Sequence, residues 1–307
     1  MKQSRHVKIS GKDVELTNED KILFPKDRIT KGDLIAYYQK IAPYMLKCMR
    51  HRPIMMQRYP NGINKESFMQ KNVSDYFPKW IDTKSIKREK GGNIHMLVCN
   101  NKATLTYLAN QACITPHMWL SQDDMPNVPD RMIFDLDPSG ANFGLVVQGA
   151  KDLRDILEKE LKLSAFVMTT GSKGLHVVVP IKREWNFTDV RHFARDVAKY
   201  LAKKKPKLYT IEPRKNKRRS KVFIDYLRNG YAQTGVAPFA VRPLPGAPIA
   251  MPLSWKELSA KLNAQSFNIK NVQRHLKNDP WKNIDRVAKS LNVADKRLDK
   301  LLNSKLC

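Results

Sequence analysis

RMIFDLDPSG (residues 131–140) carries the strongest structural and chemical signal in this chain. Its apolar run is typical of a buried strand, and side chains along a strand point alternately to opposite faces. Asp135 and Asp137 are therefore predicted to project from one face. Adjacent carboxylates repel unless one is protonated or a cation lies between them, and divalent ions with oxygen ligands commonly fill that role. The stretch thus predicts a sheet that presents two metal-ligating acids.

A second stretch, KVFIDYLRNG (residues 221–230), supplies a further acid on a predicted strand. Asp225 is embedded there among apolar residues. A third carboxylate is what a site for two metal ions needs. Such sites place the ions roughly 3.5–4 Å apart and clamp the attacking and leaving oxygens of an in-line phosphoryl displacement. The two stretches together favour phosphoryl-transfer chemistry at one face of a sheet.

The charge balance indicates a polyanionic partner. The 307 residues include 56 Lys and Arg against 29 Asp and Glu, a formal net charge of +27. Each phosphate that a basic side chain neutralises releases counterions, so a surface of this kind favours nucleic acid. Charge alone leaves open a ribosome-associated or merely Lys-rich protein.

The cysteines and the apolar runs bear on the compartment. Cys48, Cys99, Cys113 and Cys307 show no paired spacing, so neither a zinc site nor a disulfide framework is predicted. The first ten residues lack an apolar signal segment, and no apolar run approaches membrane-spanning length. We expect a cytoplasmic, nucleoid-associated protein with no membrane contact.

The first part of the chain has the pattern of a hairpin followed by a helix. Residues 6–16 alternate as two short strands that turn near Gly11. An amphipathic pattern over residues 33–49 predicts a helix, which Thr30 or Asp33 caps. Mixed α/β structure is therefore expected at the N-terminus.

Two further strands are predicted before the first acid strand. Residues 94–99 and 103–108 are short apolar runs, and Asn100 and Asn101 between them are typical of a tight turn. We expect a second hairpin at this position.

The elements after the first acid strand define the sheet. They are predicted as a helix, two strands, a helix and the Asp225 strand, over residues 143–163, 166–171, 175–181, 188–204 and 221–230. This order matches a split βαβ sheet with the carboxylates on its central face. The charge-dense residues 203–221 are expected to form a basic loop that leads into the Asp225 strand. Short helices are predicted to follow, over residues 255–263, 271–278 and 281–291.

The segment TTGSKGLHVVVPI (169–181) contains a compact turn between two strands. Backbone N–H groups of this turn and the Lys173 ammonium suit a triphosphate. His176, at the start of the second strand, is a candidate donor to a phosphate oxygen or, alternatively, a hydrogen-bonded core histidine. The spacing of a P-loop is absent, so chemistry of that type has no support.

Four segments in this order resemble the polymerase domain of the bacterial and archaeal ligase D system, in the archaeo-eukaryotic primase superfamily. They are DRMIFDLDPSG, TTGSKGLHVVVPI, KVFIDYLRNG and APFAVRPLPGAPIAMPLSW. The resemblance runs from about Leu16 to beyond Trp255. It implies an α/β primase-polymerase fold with a split βαβ (RRM-like) catalytic sheet, an N-terminal α/β part and C-terminal helices. Because the chain ends without a ligase or nuclease segment, we expect a stand-alone or operon-encoded form.

The resemblance also implies a domain organisation. A single primase-like polymerase domain is expected over residues 1–295, and a basic tail over residues 296–307. Within the domain, residues 1–120 form the N-terminal DNA-end-binding part, residues 121–254 the catalytic sheet and residues 255–295 a helical appendage.

The resemblance assigns roles to the acids and to a set of nucleotide contacts. Asp135, Asp137 and Asp225 match the family's metal-binding acids, which hold two divalent ions, manganese or magnesium. One ion activates the primer 3′-hydroxyl, and the other neutralises the triphosphate and the leaving pyrophosphate. The residues implied to contact the incoming nucleoside triphosphate are Thr170, Ser172, Lys173, His176, Arg228, Arg242 and His117. Thr170 stands where the family often has serine, and it retains the hydroxyl.

Two groups of N-terminal residues are implied to bind DNA. Asn18, Lys21 and Lys31 match the pocket that binds the 5′-phosphate on the far side of a gap or break. Arg58, Phe68 and Met69 match a template-contacting surface on which the family usually has two aromatic residues. Met69 departs from that pattern, so stacking on the template is expected to rest on Phe68.

The sequence therefore predicts a template-directed repair polymerase or primase. It would add nucleotides, ribonucleotides by preference, to DNA 3′ ends in gap filling and double-strand-break end joining; the ribonucleotide preference comes from the resemblance only. The implied partners are gapped or broken DNA with a 5′-phosphate, nucleoside triphosphates, a Ku-type protein and an ATP-dependent DNA ligase. One alternative is a non-catalytic DNA-end-binding accessory protein, which would not need the three acids. The other is a DxD glycosyltransferase, which would not explain the net charge.

Overall fold

The computed structural model describes residues 4–88, 91–259, 261–276 and 279–303. Its helices are α1 (Lys31–Met49), α2 (Lys102–Asn110), α3 (Phe143–Asp155), α4 (Phe187–Lys204) and α5 (Leu291–Asn303). Its strands are β1 (Ser4–Ile9), β2 (Lys12–Thr17), β3 (Ile22–Phe24), β4 (Ile29–Thr30), β5 (Pro53–Arg58), β6 (Phe68–Gln70), β7 (Thr83–Lys87), β8 (Asn93–Val98), β9 (Cys113–Trp119), β10 (Arg131–Asp137), β11 (Phe166–Thr169), β12 (Leu175–Pro180), β13 (Tyr209–Thr210), β14 (Val222–Asp225), β15 (Thr234–Val236) and β16 (Pro252–Leu253).

The chain divides into two units, and each is built from separate segments. Unit 1 comprises Met1–Pro126, Val236–Ala250 and Phe267–Lys277. Unit 2 comprises Asn127–Gly235, Met251–Ser266 and Asn278–Cys307. The mixed α/β fold class predicted from the sequence is confirmed. Among the described residues, no helix is both long enough and apolar enough to cross a membrane.

Unit 1 begins as the sequence predicts. β1 and β2 pair as an antiparallel hairpin whose turn contains Gly11 at φ 74°, a left-handed conformation that glycine adopts without strain. Thr30 is the N-cap of α1, and it forms a reciprocal capping box with Asp33. Thr30 is therefore the cap, and Asp33 is its partner.

The predicted strand over residues 103–108 is wrong, because this segment lies within α2. Asn101, expected in a tight turn, is the N-cap of the helix, and its Oδ1 accepts from the Thr104 N–H (2.9 Å). Residues 103–110 are all buried. A helix that is buried on every side lacks the polar face from which helical periodicity is recognised, so its short apolar run has the appearance of a strand.

Unit 1 also contains a sheet in which β9, β5, β8 and β7 lie in that order, each antiparallel to its neighbour. β6 pairs with the end of β5 that β8 does not reach. β3 and β4 form a separate short pair directly before α1. This pair brings the segment around residue 21 beside the start of α1.

Unit 2 is built on one six-stranded sheet in the order β13-β14-β10-β12-β11-β16. β10, the strand of the DLD motif, lies between β14 and β12 and is antiparallel to both. On one face Leu136 packs against α3, where a Cβ at Gly149 would lie 3.3 Å from the Leu136 side chain. Since side chains alternate along a strand, the neighbouring aspartates occupy the other face.

The C-terminal helices are shorter than predicted, and one was missed. Only single 3₁₀ turns form at Trp255–Glu257, Val272–His275 and Ile284–Val287. The regular helix is α5, which the sequence reading had divided between the appendage and a basic tail. Its residues 296–303 are helical, and residues 304–307 of that tail, with Cys307, lie outside the described residues. The buried residues of α5, Leu291, Ala294 and Leu298, do recur at helical spacing, but the predicted boundary at residue 295 divides that pattern.

Candidate active site

The three predicted acids lie on one face of the unit 2 sheet, and we call Asp135, Asp137 and Asp225 the acid face. Asp135 on β10 is directly opposite Asp225 on β14. On the other side it is opposite His176 on β12. Directly opposed residues of antiparallel strands point to the same side with their Cβ atoms about 4.5–5.5 Å apart. His176, Asp135 and Asp225 therefore form a row across three strands.

Charge on the row is partly balanced by the protein itself. Burial, and then the Asp135 carboxylate, raises the pKa of Asp225, while the Leu227 N–H donates to its Oδ1 (2.7 Å). Asp135 Oδ2 lies 3.5 Å from His176 Nε2 and 3.8 Å from Arg228 Nε. A carboxyl such as that of Asp225, whose pKa is raised by burial and by an opposed carboxylate, is typical of a site that gains from an added cation.

Asp137 contacts a residue that the sequence reading did not single out. Arg218 is buried, its Cζ lies 3.7 Å from the centroid of the Phe223 ring, and its Nη1 lies 3.6 Å from Asp137 Oδ2. The same guanidinium donates to Ser139 Oγ and to the carbonyl of Pro213. Arg218 thereby ties the basic loop to the acid face. It is one of many cations in residues 203–221, and the sequence contains no signal that separates it from them.

The acid face has the donors of a hard-cation site. Among the described residues, no group of three Asp, Glu, His or Cys side chains is arranged to hold a metal ion as the side chains stand. Each carboxylate is instead directed to a donor of the protein, as given above. Three carboxylates on one face, two of them directly opposed, nevertheless fit the oxygen ligands that magnesium and manganese prefer.

The turn between β11 and β12 is held by one hydroxyl and one glycine. Thr170 Oγ1 accepts from the Gly174 N–H (3.1 Å), and it also lies 3.1 Å from Ser172 Oγ. A Cβ at Gly174 would lie 2.0 Å from the Leu136 carbonyl oxygen, so only glycine fits there. Thr170 therefore holds the turn together, and Lys173 at its tip is exposed.

His117 and Arg242, also assigned to the nucleotide by resemblance, belong to unit 1. His117 lies on β9, and the segment containing Arg242 runs beside that strand: Thr115 Oγ1 donates to the Val241 carbonyl (2.6 Å), and the Ala237 N–H donates to the Pro116 carbonyl (3.1 Å). The structure places these two residues on neighbouring segments of one unit. Their joint contact with a nucleotide stays a prediction.

Lys21 and Lys31 come together in unit 1, and with the first turn of α1 we call them the lysine pocket. The Lys31 N–H donates to the Lys21 carbonyl (2.8 Å), so the backbones of these two residues are in contact although they are ten positions apart in the sequence. The Lys21 N–H in turn donates to the carbonyl of Asn18, which has a positive φ of 50°. Lys21 Nζ donates to Asn61 Oδ1 (2.8 Å), and Asn61 is a residue that the sequence reading did not identify.

Lys31 is an unusual lysine because it is only 5% exposed. Its Nζ donates to Thr17 Oγ1 (3.1 Å) and to the Asn110 carbonyl (3.2 Å). Burial, and then the charge of Lys21, lowers the pKa of Lys31 to about 8. A lysine with a lowered pKa gains from an anionic partner.

The backbone at the start of α1 is already occupied. The Lys31 N–H donates to the Lys21 carbonyl, the Gly32 N–H to the Glu19 carbonyl, and the Asp33 N–H to Thr30 Oγ1. An anion at this helix terminus therefore interacts with the lysine ammonium groups and the helix dipole rather than with those N–H groups.

The residues implied to face the template lie around Arg58. Two aromatic side chains contact its guanidinium, Phe68 and also Tyr76, and we call these three residues the Arg58 surface. Arg58 on β5 is directly opposite Phe68 on β6, and its Cζ lies 5.2 Å from the centroid of that ring. Phe68 is 46% exposed and Met69 is 51% exposed. Met69 follows Phe68 on the same strand, so the two side chains point to opposite faces of β6.

Sequence and structure comparisons give consistent relatives. The family model described as "LigD, primase-polymerase domain" matches residues 30–281. The multifunctional non-homologous end joining protein LigD of Mycolicibacterium smegmatis is 33% identical over 249 residues, 80% of this chain and 32% of that protein. The bifunctional LigD of Bacillus subtilis is 30% identical over 275 residues, 89% of this chain and 44% of that protein. The chain thus spans less than half the length of these relatives.

A solved structure matches nearly the whole fold. The polymerase domain from Mycobacterium tuberculosis Ligase D in complex with DNA superposes with a TM-score of 0.83 at 28% identity, over 90% of this chain and 99% of that one. The sheet order, the acid face and the glycine-closed turn, taken with these matches, define a primase-polymerase domain. The chain belongs to the LigD primase-polymerase domain family.

Proposed function

We propose that this protein is a template-directed repair polymerase that adds nucleotides, ribonucleotides by preference, to the 3′ end of DNA at gaps and double-strand breaks. The observation that carries the proposal is the acid face, in which Asp135 and Asp225 are directly opposed and Asp137 lies on the same side. Such an arrangement suits two-metal nucleotidyl transfer, and the family to which the chain belongs supports it.

Asp135, Asp137 and Asp225 would hold two divalent ions, manganese or magnesium. Bound there, the ions supply activation of the primer 3′-hydroxyl and neutralisation of the leaving pyrophosphate. The chain's own contribution is to hold the three carboxylates on rigid central strands and to keep Arg228 and Arg218 within 4 Å of them. These arginines would shift towards added phosphate charge when the carboxylates bind cations.

The turn between β11 and β12 is proposed to bind the triphosphate. Lys173 is exposed at its tip, and Thr170 and Ser172 fix its shape. His176 lies at the end of the row nearest this turn, and its Nδ1 is buried with no hydrogen-bond partner among the described residues. Arg242 and His117 are assigned to the same nucleotide by family resemblance.

The lysine pocket is proposed to bind the 5′-phosphate across a gap. A terminal phosphate monoester carries close to two negative charges, compared with one for an internal diester, so two converging ammonium groups favour the end. Lys21 and Lys31 lie close enough for the charge of Lys21 to act on Lys31, and Asn18 lies three residues before Lys21 in the same turn. Arg58, Phe68 and Met69 are proposed to contact the template strand.

Partners beyond DNA and nucleoside triphosphates follow from the relatives. Because those relatives are named for non-homologous end joining, a Ku-type protein and an ATP-dependent DNA ligase are the proposed partners. A cytoplasmic, nucleoid-associated location accords with this role.

The experiment is extension of a labelled primer across a one-nucleotide gap with ribo- or deoxyribonucleoside triphosphates, in manganese or magnesium. The downstream strand carries either a 5′-phosphate or a 5′-hydroxyl. We expect addition templated by the gap base, faster with ribonucleotides and with the 5′-phosphate. Tight binding to the 5′-phosphate without any addition would instead support a non-catalytic end-binding protein, and equal addition on both gaps would remove the end-recognition part of the proposal.

A further inference from the structure

Tyr76 is a large, exposed aromatic residue that the family resemblance leaves without a role. It is 60% exposed, which places it with Phe68 and Met69 among the few large apolar side chains on the described surface. Phe68 and Met69 are only one strand position apart, yet they point to opposite faces of β6. The face on which Phe68 lies thus gains no second apolar group from Met69.

Tyr76 provides a ring on the Phe68 side, because both are joined to one guanidinium. Arg58 Nη1 donates to the Tyr76 hydroxyl (2.9 Å), and the Arg58 Cζ lies over the Phe68 ring. The guanidinium is fixed by further acceptors: Arg58 Nη2 donates to Gln111 Oε1 (2.8 Å), and Arg58 Nη1 also donates to Gln70 Oε1 (2.6 Å). Two exposed rings therefore flank a cation that is held in place.

The Tyr76 ring is also supported from within unit 1. Its centroid lies 5.1 Å from that of Phe77, whose centroid lies 5.2 Å from that of Tyr107. Phe77 and Tyr107 are buried. An exposed ring that rests on a buried aromatic pair keeps its orientation, and so loses little conformational entropy when a ligand stacks on it.

The charge around the rings selects the ligand. Arg58 is the central group, and the exposed charged residues between Lys65 and Lys79 are three lysines, Lys65, Lys71 and Lys79, and two acids, Glu66 and Asp75, so the charge together with Arg58 is positive. Aromatic rings combined with cations are the means by which proteins bind unpaired bases, which stack while their phosphates are neutralised. A protein partner that buried these rings would also have to match the positive charge.

We propose that Tyr76 is the second base-stacking residue of the Arg58 surface, where it supplies the ring that Met69 lacks, and that its ligand is an unpaired template base of single-stranded DNA at a gap. This inference rests on the proposed function, because it identifies the part of the DNA substrate that the surface binds. Each base stacked on an aromatic side chain contributes about 1–3 kcal/mol, which corresponds to about fivefold to 150-fold in affinity.

The test measures binding without nucleoside triphosphates, so that its outcome is independent of polymerase activity. The fluorescence anisotropy of a gapped DNA with one unpaired template thymine is compared with that of the same DNA with an abasic site at that position. We expect wild-type protein to favour the thymine DNA by about tenfold. Tyr76→Ala and Tyr76→Leu should lower this ratio at least threefold, whereas Tyr76→Phe should keep it. Met125→Ala, at a 43% exposed apolar residue of the same unit, is the matched control and should behave as wild type.

Two results would overturn the inference. If Tyr76→Phe lowers the ratio as far as Tyr76→Ala, the hydroxyl merely anchors Arg58, and if Tyr76→Ala keeps the ratio, the ring does not stack. A measurement on the unmodified protein covers variants that fail to fold: with 5-iodouracil at the unpaired position, ultraviolet crosslinking should attach the DNA to the peptide that contains Tyr76. Crosslinks found only outside the Arg58 surface would also refute it. Failure of the primer-extension test with these results intact would leave the base-binding assignment standing.

Discussion

The acid face of unit 2 and the lysine pocket of unit 1 gather like charges in different ways. The acids lie on paired strands, and the register of that pairing fixes the position of each carboxylate relative to the others. The lysines come from a turn and from the first residue of a helix, and backbone hydrogen bonds close the interval between them. Regular secondary structure suits chemistry that needs fixed atoms, whereas an assembled pocket suits recognition of a charge.

The largest effect is expected at the acid face. Asp135→Ala or Asp137→Ala should lower the rate of nucleotide addition at least about a hundredfold, because metal binding supplies several kcal/mol of transition-state stabilisation. Affinity for gapped DNA should stay within about twofold, since basic residues supply it. Asp155→Ala, at an exposed i,i+4 pair with Lys159, is the control. Wild-type rates for the first two variants at saturating metal would show that the acids are structural.

The turn between β11 and β12 should tolerate no side chain at Gly174. Gly174→Ala places a Cβ against the Leu136 carbonyl and is expected to destabilise the fold by about 3 kcal/mol, as overpacked sites do. Denaturant unfolding measures the change. Gly144→Ala, whose Cβ would meet only the Asn142 side chain, is the matched control and should cost far less. Similar losses at both positions would mean that the turn shifts freely.

Arg242 tests the assignment of nucleotide contacts that rests on family resemblance. Arg242→Ala should raise the KM for the nucleoside triphosphate about tenfold or more, because a hydrogen bond to a charged group contributes about 1.5–3 kcal/mol. Arg242→Lys should restore it only in part, since lysine lacks the planar fork. Steady-state extension at varied nucleotide concentration gives the values. An unchanged KM in Arg242→Ala would remove Arg242 from the proposed nucleotide contacts.

The smallest effect, and the one most particular to the lysine pocket, is its dependence on pH. Since the pKa of Lys31 is lowered to about 8, its charge is present at pH 7 and largely lost at pH 9.5. A terminal phosphate, whose second pKa is about 6, already carries most of its second charge at pH 7 and loses none as pH rises. The preference for a 5′-phosphate over a 5′-hydroxyl should therefore fall several-fold, up to about tenfold, as pH rises, as measured by equilibrium binding of both DNAs.

Lys31→Met provides the control for this titration. It should show a low preference that does not vary between pH 7 and 9.5. The free energy of unfolding should change in the opposite direction. Between about pH 8 and the ordinary pKa of lysine, the unfolded chain holds the Lys31 proton and the folded chain has lost it. The contribution of Lys31 to the free energy of unfolding therefore rises with pH in this range. A preference in wild-type protein that is constant with pH would assign end recognition to Lys21 alone.

The two regions also differ in how far the sequence predicts them. The spacing of Asp135 and Asp137 on an apolar run predicts one face of a strand, and the structure has it so. No pattern relates Lys21 to Lys31, because the contact depends on the β3–β4 pair, which is too short to give periodicity. That assignment came from family resemblance alone.

The incorrect prediction at residues 103–108 and the two overlooked residues, Arg218 and Tyr76, also have their causes in tertiary structure. α2 is buried on every side, so it has no polar face to indicate a helix. Arg218 and Tyr76 acquire their surroundings from segments distant in sequence: Arg218 contacts Ser139, and Tyr76 contacts Arg58. Composition indicates that a residue is basic or aromatic. Only tertiary structure shows whether it is buried against a carboxylate or exposed beside a cation.

If the lysine pocket binds a DNA end as proposed, the occupied backbone at the start of α1 makes that binding depend on the salt concentration. With those N–H groups bonded within the protein, a phosphate is attracted by ammonium charges instead of being fixed by directional backbone bonds. Attraction between exposed charges decays over a Debye length, about 8 Å at physiological ionic strength, while a buried charge is screened less. Exposed Lys21 should therefore lose its contribution first as salt is added, and buried Lys31 should retain its own. We therefore expect the ionic strength of the medium to set how sharply the proposed pocket distinguishes a phosphorylated end.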